Sequence, residues 1–260
     1  MLPAFDCARF EQERKAFGTR IGTPMKVFDS VASTSDEAKR AARAGAPAGA
    51  LFLAEHQTRG RGRGSNRWRA GARESLLFSV VLRPRIPIEQ APPFALVVGL
   101  AAREVTAGLV QESPRIKWPN DLLLGKRKLG GILVESQVQG CVLSALVVGV
   151  GFNVNVAEFP DELAGSATSL LQASGKHTSR EVLLANFLAA LEARTAAYEN
   201  SGLVGFLNEL RDHDALLGER VAVAGRVGIA SGIAADGALL LRDARGLTKV
   251  TSGSVERVES

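Results

Sequence analysis

The stretch from Ile132 to Val150 constrains the fold more than any other part of the chain. Ile132–Val138 and Val142–Val150 are dominated by aliphatic residues, and the Gln139-Gly140 pair between them suits a hairpin turn. Neither run is long enough to cross a bilayer, so both belong in the core of a folded domain. Shorter strand patterns surround this pair: Lys26–Val31, Leu51–Glu55, Leu76–Leu82, and Ile116–Trp118 running into Leu122–Leu124. Helical spacing marks residues 4–17, Asp36–Ala44 (stopped by Gly45 and Pro47), 94–111, Arg180–Tyr198 with Thr178 or Ser179 as its cap, and Leu203–His213. In the 94–111 helix, Leu96, Val97, Leu100, Val105 and Leu109 form the expected core face.

From Glu219 onward the texture changes. Short strands (Val221–Val223, Val227–Ala230, Ala238–Leu241, Lys249–Thr251) alternate with turns at Asp236-Gly237 and Ala244–Gly246, as in a small β-barrel. The expectation is an α+β fold: a mixed, mainly antiparallel sheet with helices, followed by a small C-terminal barrel. Its divisions are a helical extension over 1–24, a main domain over 25–215 and the barrel over 216–260.

Composition excludes some function classes. Two cysteines, Cys7 and Cys141, without CxxC spacing, and three scattered histidines supply neither a disulfide framework nor a structural zinc site. The first fourteen residues carry Asp6, Arg9, Glu11 and Glu13 with no apolar core, so no secretory signal is expected and the chain reads as cytoplasmic. A net charge of +5 favours anionic partners without choosing among nucleotides, acidic proteins and nucleic acid. Aromatic residues are only 5% of the chain, which argues against stacking on single-stranded bases.

Four segments carry chemistry. After the Leu51–Glu55 strand comes Gln57-Thr58-Arg59-Gly60-Arg61-Gly62-Arg63-Gly64, leading to Trp68. Alternating glycine lets the backbone approach a ligand, and the guanidiniums can fork onto phosphate or carboxylate oxygens. A solvated RGG tract would show the same letters, but such tracts sit in disordered sequence and this one is enclosed by core strands. Lys117-Trp118-Pro119-Asn120-Asp121 makes a rigid turn bracketed by opposite charges, and an ordinary turn with a surface ion pair stands as the plain alternative. In the following Lys126-Arg127-Lys128-Leu129-Gly130-Gly131, Lys128 is the cation best placed to face inward. Ser33-Thr34-Ser35-Asp36-Glu37 has the form of a capping box, Thr34-x-x-Glu37, and its hydroxyls also suit a small polar ligand. Finally, Gly149-Val150-Gly151-Phe152-Asn153-Val154-Asn155 ends a strand with two glycines and two amides, either as a site for a base edge or as a plain loop.

In this order the segments resemble the biotin–protein ligase family, whose pattern runs from a Ser-Thr pair through GRGR and KWPND to KLxGIL and GxGxN. The resemblance spans roughly residues 26–258, and the C-terminal barrel is similar to that family's SH3-like domain. It implies a class II synthetase-like catalytic domain that forms biotinoyl-5'-AMP from biotin and ATP and transfers biotin to a lysine of a biotin carboxyl carrier protein. It assigns biotin binding to Ser33, Thr34, Ser35, Gln57, Arg61, Gly62, Arg63, Lys128 and Gly131. Nucleotide binding goes to Trp68, Lys117, Asn120 and Asn153, and catalysis to Lys128, Arg61, Arg63 and Asp121, with Mg²⁺ arriving with ATP on unassigned ligands. Ser35 stands where many relatives have Asn, and Gly64 and Asn66 where extra arginines are common. Only about 25 residues precede the first catalytic strand, too few for the DNA-binding domain of some members, so operator binding is not expected. Nor is a membrane partner, while a homodimer is compatible with the sequence. The alternatives are a lipoate–protein ligase on the same fold, a basic nucleic-acid-binding module, and a homologue that binds without catalysing.

Overall fold

In the computed structural model, which describes residues 2–258, a seven-stranded sheet forms the centre of the molecule. Its strands are β1 (Met25–Phe28), β2 (Leu51–Ala54), β3 (Ser75–Leu82), β4 (Arg115–Lys117), β5 (Asp121–Leu124), β6 (Arg127–Gln139) and β7 (Val142–Asn153), in the order β1-β2-β3-β7-β6-β5-β4. Only β1 and β2 run parallel; every other pair is antiparallel. Helices are α1 (Cys7–Ala16), α2 (Thr34–Arg43), α3 (Phe94–Ala107), the short α4 (Asp161–Ala164) and α5 (Leu170–Ser174), α6 (Arg180–Ser201) and α7 (Leu207–Asp212). A second sheet follows, with β8 (Arg220–Val223), β9 (Arg226–Ile233), β10 (Leu239–Asp243), β11 (Gly246–Val250) and β12 (Val255–Arg257) in the order β11-β10-β9-β8-β12. Among the described residues no helix is long and apolar enough to cross a membrane.

Side chains alternate between the faces of a strand, and here the two faces have opposite fates. One carries Leu51, Leu53, Leu76, Phe78, Val80, Val148, Val150 and Phe152 into the main core beneath α3 and α6. Phe187 of α6 stands edge-on to Phe78 and Phe152, with ring centroids 5.4 and 5.7 Å away, each contact worth about 1 kcal/mol beyond its buried area. The other face is covered by α2 at Phe52, Val81, Ala145 and Val147. Beyond that patch the same face continues as Ser79, Gly149, Gly151 and Gly131, which lack the side chains to fill a second core. A trough is left there.

Residues 2–17 are held to the main body. Phe10 is fully buried, and a buried ion pair of Arg180 and Glu55, 2.5 Å apart, is joined by the Phe5 amide and the Pro3 carbonyl. Glu55 also closes the neck of the basic loop, since its carbonyl accepts from the Arg73 amide.

Several sequence expectations need correction. The helix expected over 94–111 ends at Ala107, and Leu109 is exposed rather than a core residue. Leu203–His213 is a 3-10 turn, Gly202–Phe206, followed by α7, because the first part packs Leu203 and Phe206 in a tighter winding. Ile116–Trp118 and Leu122–Leu124 belong to two antiparallel strands, not one run, and β6 begins at Arg127, five residues before Ile132. The capping box does not form. Ser33 is the N-cap and makes no side-chain cap bond, while the Thr34 hydroxyl turns toward Gln57 and the sheet.

Candidate active site

The trough is a cleft of about 450 Å³, and its floor follows from strand register. Leu77, Gly151, Gly131 and Asp121 lie in one row across β3, β7, β6 and β5. Trp68, from the basic loop, lies over the two glycines of that row. A Cβ at Gly151 would sit 2.5 Å from Trp68 Cε2, and one at Gly131 would sit 2.9 Å from Cζ3. The indole Nε1 is buried with no partner. This aromatic plate with a free donor, lying on a glycine floor that ends at Asp121, suits a flat heterocycle.

At one end of the cleft the polar groups are small. Thr34 and Ser35, at the start of α2, line it together with Gln57, whose Oε1 accepts from Thr34 N at 2.7 Å and from Thr34 Oγ1 at 3.2 Å. The helix start, its hydroxyls and the amide thus make a compact hydrogen-bonding end. At the other end the groups are charged. Lys128 Nζ meets Asp121 Oδ1 at 2.5 Å and lies 5.6 Å from the Trp68 ring centroid. Lys117 also lines the cleft; burial pushes its pKa down, and Asp121 opposes that only in part. Asn120 fixes the turn by donating from Nδ2 to the Ile132 carbonyl at 2.7 Å.

The Gly–Arg loop forms the lid side. Arg61 bridges Asp36 at 2.8 Å and Glu135 at 3.0 Å, and Lys39 joins the same two carboxylates. Burial tends to raise the Asp36 pKa, but Lys39 and Arg61 outweigh it and hold the carboxyl below its ordinary range. Burial likewise opposes the charge on Arg61, and Glu135 and Asp36 more than compensate. Arg63 reaches across the cleft mouth and donates to the Gly253 carbonyl at 2.9 Å.

Two expected residues do not line the cleft. Asn153 is buried behind it, donating from Nδ2 to the carbonyls of Lys128 (3.3 Å) and Thr168 (3.1 Å), so it braces the segment that bears Lys128. Ser33 is also buried, and its hydroxyl has no partner. Conversely, Gly253, Ser254 and Val255 line the mouth from the second sheet. Trp118 ties that sheet down by donating from Nε1 to the Gly237 carbonyl at 2.9 Å. Nothing local in the sequence shows that Gly253 reaches the Gly–Arg loop, 190 residues earlier in the chain at Arg63. Ser79, directly behind Thr34 and Ser35, had a clearer signal: it is a polar residue in the otherwise apolar interior of β3.

Comparisons with known proteins agree with this geometry. The Biotin/lipoate A/B protein ligase family matches residues 27–153, and the biotin protein ligase C terminal domain matches residues 216–258. The chain is 35% identical to the bifunctional ligase/repressor BirA of Bacillus spizizenii, over 91% of this chain and 74% of that protein. It is 36% identical to the biotin–[acetyl-CoA-carboxylase] ligase of Mycobacterium tuberculosis, over 89% of this chain and 88% of that one. Among solved structures, the biotin protein ligase from Aquifex aeolicus in complex with biotin and ATP superposes with a TM-score of 0.78 at 28% identity, covering 91% of this chain and all of that one. On its sequence, its fold and the residues gathered in its cleft, the chain belongs to the biotin protein ligase family.

Proposed function

We propose that the chain joins biotin to AMP at the expense of ATP and transfers the biotinyl group to a lysine of a biotin carboxyl carrier protein. The observation that carries this reading is the polarity of the cleft: small neutral hydrogen-bonding groups at Thr34 and Gln57, an aromatic plate at Trp68, and cations at Lys128, Lys117 and Arg63. A neutral ring head, a flat base and an anionic junction between them match those three parts in turn.

Adenylation brings a carboxylate against the α-phosphate. At about 4 Å two such charges repel by roughly 1 kcal/mol in water and about 4 kcal/mol at an effective dielectric near 20. Lys128, at the charged end of the cleft and 5.6 Å from the Trp68 ring centroid, offsets that repulsion, and Arg61 can add to it once it turns from Asp36 and Glu135 onto the ligand. No covalent bond to the enzyme is needed.

The second step needs an amine held near the acyl phosphate. When Lys128 turns to the anionic junction it releases Asp121, whose carboxylate can then accept a hydrogen bond from the incoming lysine and orient it. Arg63, anchored on Gly253, closes the mouth and keeps water from the intermediate until that amine arrives.

Magnesium fits this cleft as a companion of the nucleotide. The Asn120 carboxamide would supply an oxygen donor, and among the described residues no group of three or more His, Cys, Asp or Glu forms a dedicated cage, so phosphate and water oxygens would complete the set. Bound there, the ion would neutralise phosphate charge. Free, exposed Cys7 and Cys141 accord with a reducing cytoplasmic setting. Biotin-dependent exchange of labelled pyrophosphate into ATP tests the first step; no exchange above the level without biotin would contradict it.

A further inference from the structure

The floor beneath Thr34 and Ser35 holds a chain of hydroxyls. Thr34 N is a backbone donor, so the Gln57 atom it meets at 2.7 Å must be the carboxamide oxygen, which sets the orientation of that amide. The Thr34 hydroxyl has one proton and two acceptors within reach, the same Gln57 oxygen at 3.2 Å and Ser79 Oγ at 2.8 Å; in one of the two polarities open to the chain that proton goes to Gln57. Ser79 Oγ lies 2.8 Å from Thr34 Oγ1, and in that polarity Ser79 is the donor there. Ser35 Oγ lies 3.1 Å from Ser79 Oγ and in the same polarity donates to Ser79.

We infer that Ser79, which is fully buried and does not line the cleft, is a positioning residue that sets the hydrogen-bond polarity of the ring-binding end. With the Ser79 proton toward Thr34, Ser35 turns only lone pairs to the cleft, while Gln57 turns its Nε2 donor. The end thus accepts on one side and donates on the other. A cyclic urea, with N–H beside C=O, satisfies both; a dithiolane ring satisfies neither. Gly149 protects the arrangement, since a Cβ there would lie 2.5 Å from Ser35 Oγ. An Asn at position 35 could present either end of its amide, whereas Ser35 held by Ser79 presents an acceptor alone. The assignment rests on the biotin reading given above and adds to it the residue that enforces the ring's orientation.

The test is a double-mutant cycle on the full chain, with Ser79→Ala, Ser35→Ala and both together, read as Kd for biotin, Kd for ATP and kcat at saturating biotin. Ser79→Ala is expected to weaken biotin by about tenfold or more while ATP affinity and kcat stay within about threefold. The double variant should be little weaker than either single one, because both remove the same oriented acceptor. Ser79→Thr, which keeps the hydroxyl, should recover much of the loss and covers the case in which Ser79→Ala folds poorly. Parent binding of biotin methylated on its ureido nitrogens should be weak, and Ser79→Ala should narrow the gap between that analogue and biotin. Additive losses, equal losses for ATP and biotin, or no rescue by Ser79→Thr would overturn the role of Ser79 alone. Failure of the parent chain to bind biotin at all would overturn the functional reading, and this assignment with it.

Discussion

Lys128 and Asp121 share one contact, 2.5 Å between Nζ and Oδ1, at the end of the glycine row that Trp68 covers. On the function proposed above, Lys128 would serve adenylation, and Asp121, once released from it, would serve transfer. Lys128→Ala should lower biotin-dependent pyrophosphate exchange by about a hundredfold or more, the usual cost of removing one preorganised charge. Asp121→Asn should leave exchange within about tenfold and slow transfer to the carrier far more. Equal loss of both steps in Asp121→Asn would contradict the division.

Arg63 links the basic loop to the second sheet through the Gly253 carbonyl. Arg63→Gly removes that strap and adds backbone freedom to a loop already rich in glycine. The variant should release biotinoyl-AMP and label lysines on bystander proteins such as serum albumin. Labelling confined to the carrier, at the parent's level, would show that retention lies elsewhere.

Gly151 has to be glycine for Trp68 to lie where it does. A methyl group at that position meets the indole at 2.5 Å, so Gly151→Ala should displace the plate. ATP affinity is expected to fall by about tenfold, with a changed tryptophan emission, while stability changes by less than about 2 kcal/mol. Unchanged ATP binding would remove Trp68 from the nucleotide site.

How far these groups were legible from the sequence depended on whether their partners lie nearby in the chain. The Ile132–Val150 hairpin was readable because aliphatic runs and a Gln-Gly turn specify it locally, and the Gly–Arg loop because its composition has few other uses. The Thr34 hydroxyl was not: a capping box and a ligand-facing cluster share the same letters, and Ser79, forty-five residues away, decides between them. Asn153 likewise reads as a site residue until the carbonyls of Lys128 and Thr168 are seen to occupy its amide. The contribution of Gly253 depends on where a whole second sheet docks, which no local pattern encodes.

Glu55 and Arg180 form the most deeply buried of the ion pairs described, and they tie the first residues, the loop neck and α6 to one another. Glu55→Gln leaves the guanidinium without its counter-charge, so unfolding by urea should show a loss of about 3–5 kcal/mol. A loss below about 1 kcal/mol would mean that the pair is solvated in solution.

The chain has one tyrosine, which makes its ionisation directly visible. Burial pushes the Tyr198 hydroxyl up to about 12, and the group donates to the Gln90 carbonyl at 2.8 Å. A raised folded-state value means that the unfolded chain loses this proton first. The stabilisation is therefore intact below about pH 10, the ordinary tyrosine value, and is lost as the pH rises toward 12. Phenolate absorbance should stay absent at pH 10.5 in the folded protein and appear there on adding denaturant. A folded-state midpoint near 10 would place the ring in water.

The central claim is tested most directly by intact-mass analysis of a biotin carboxyl carrier domain incubated with this chain, ATP and Mg²⁺, with biotin or lipoate supplied in parallel. The account predicts the gain of a single biotinyl group on one lysine, dependent on ATP and absent with lipoate. A carrier that gains nothing, or gains lipoyl in place of biotinyl, would contradict it.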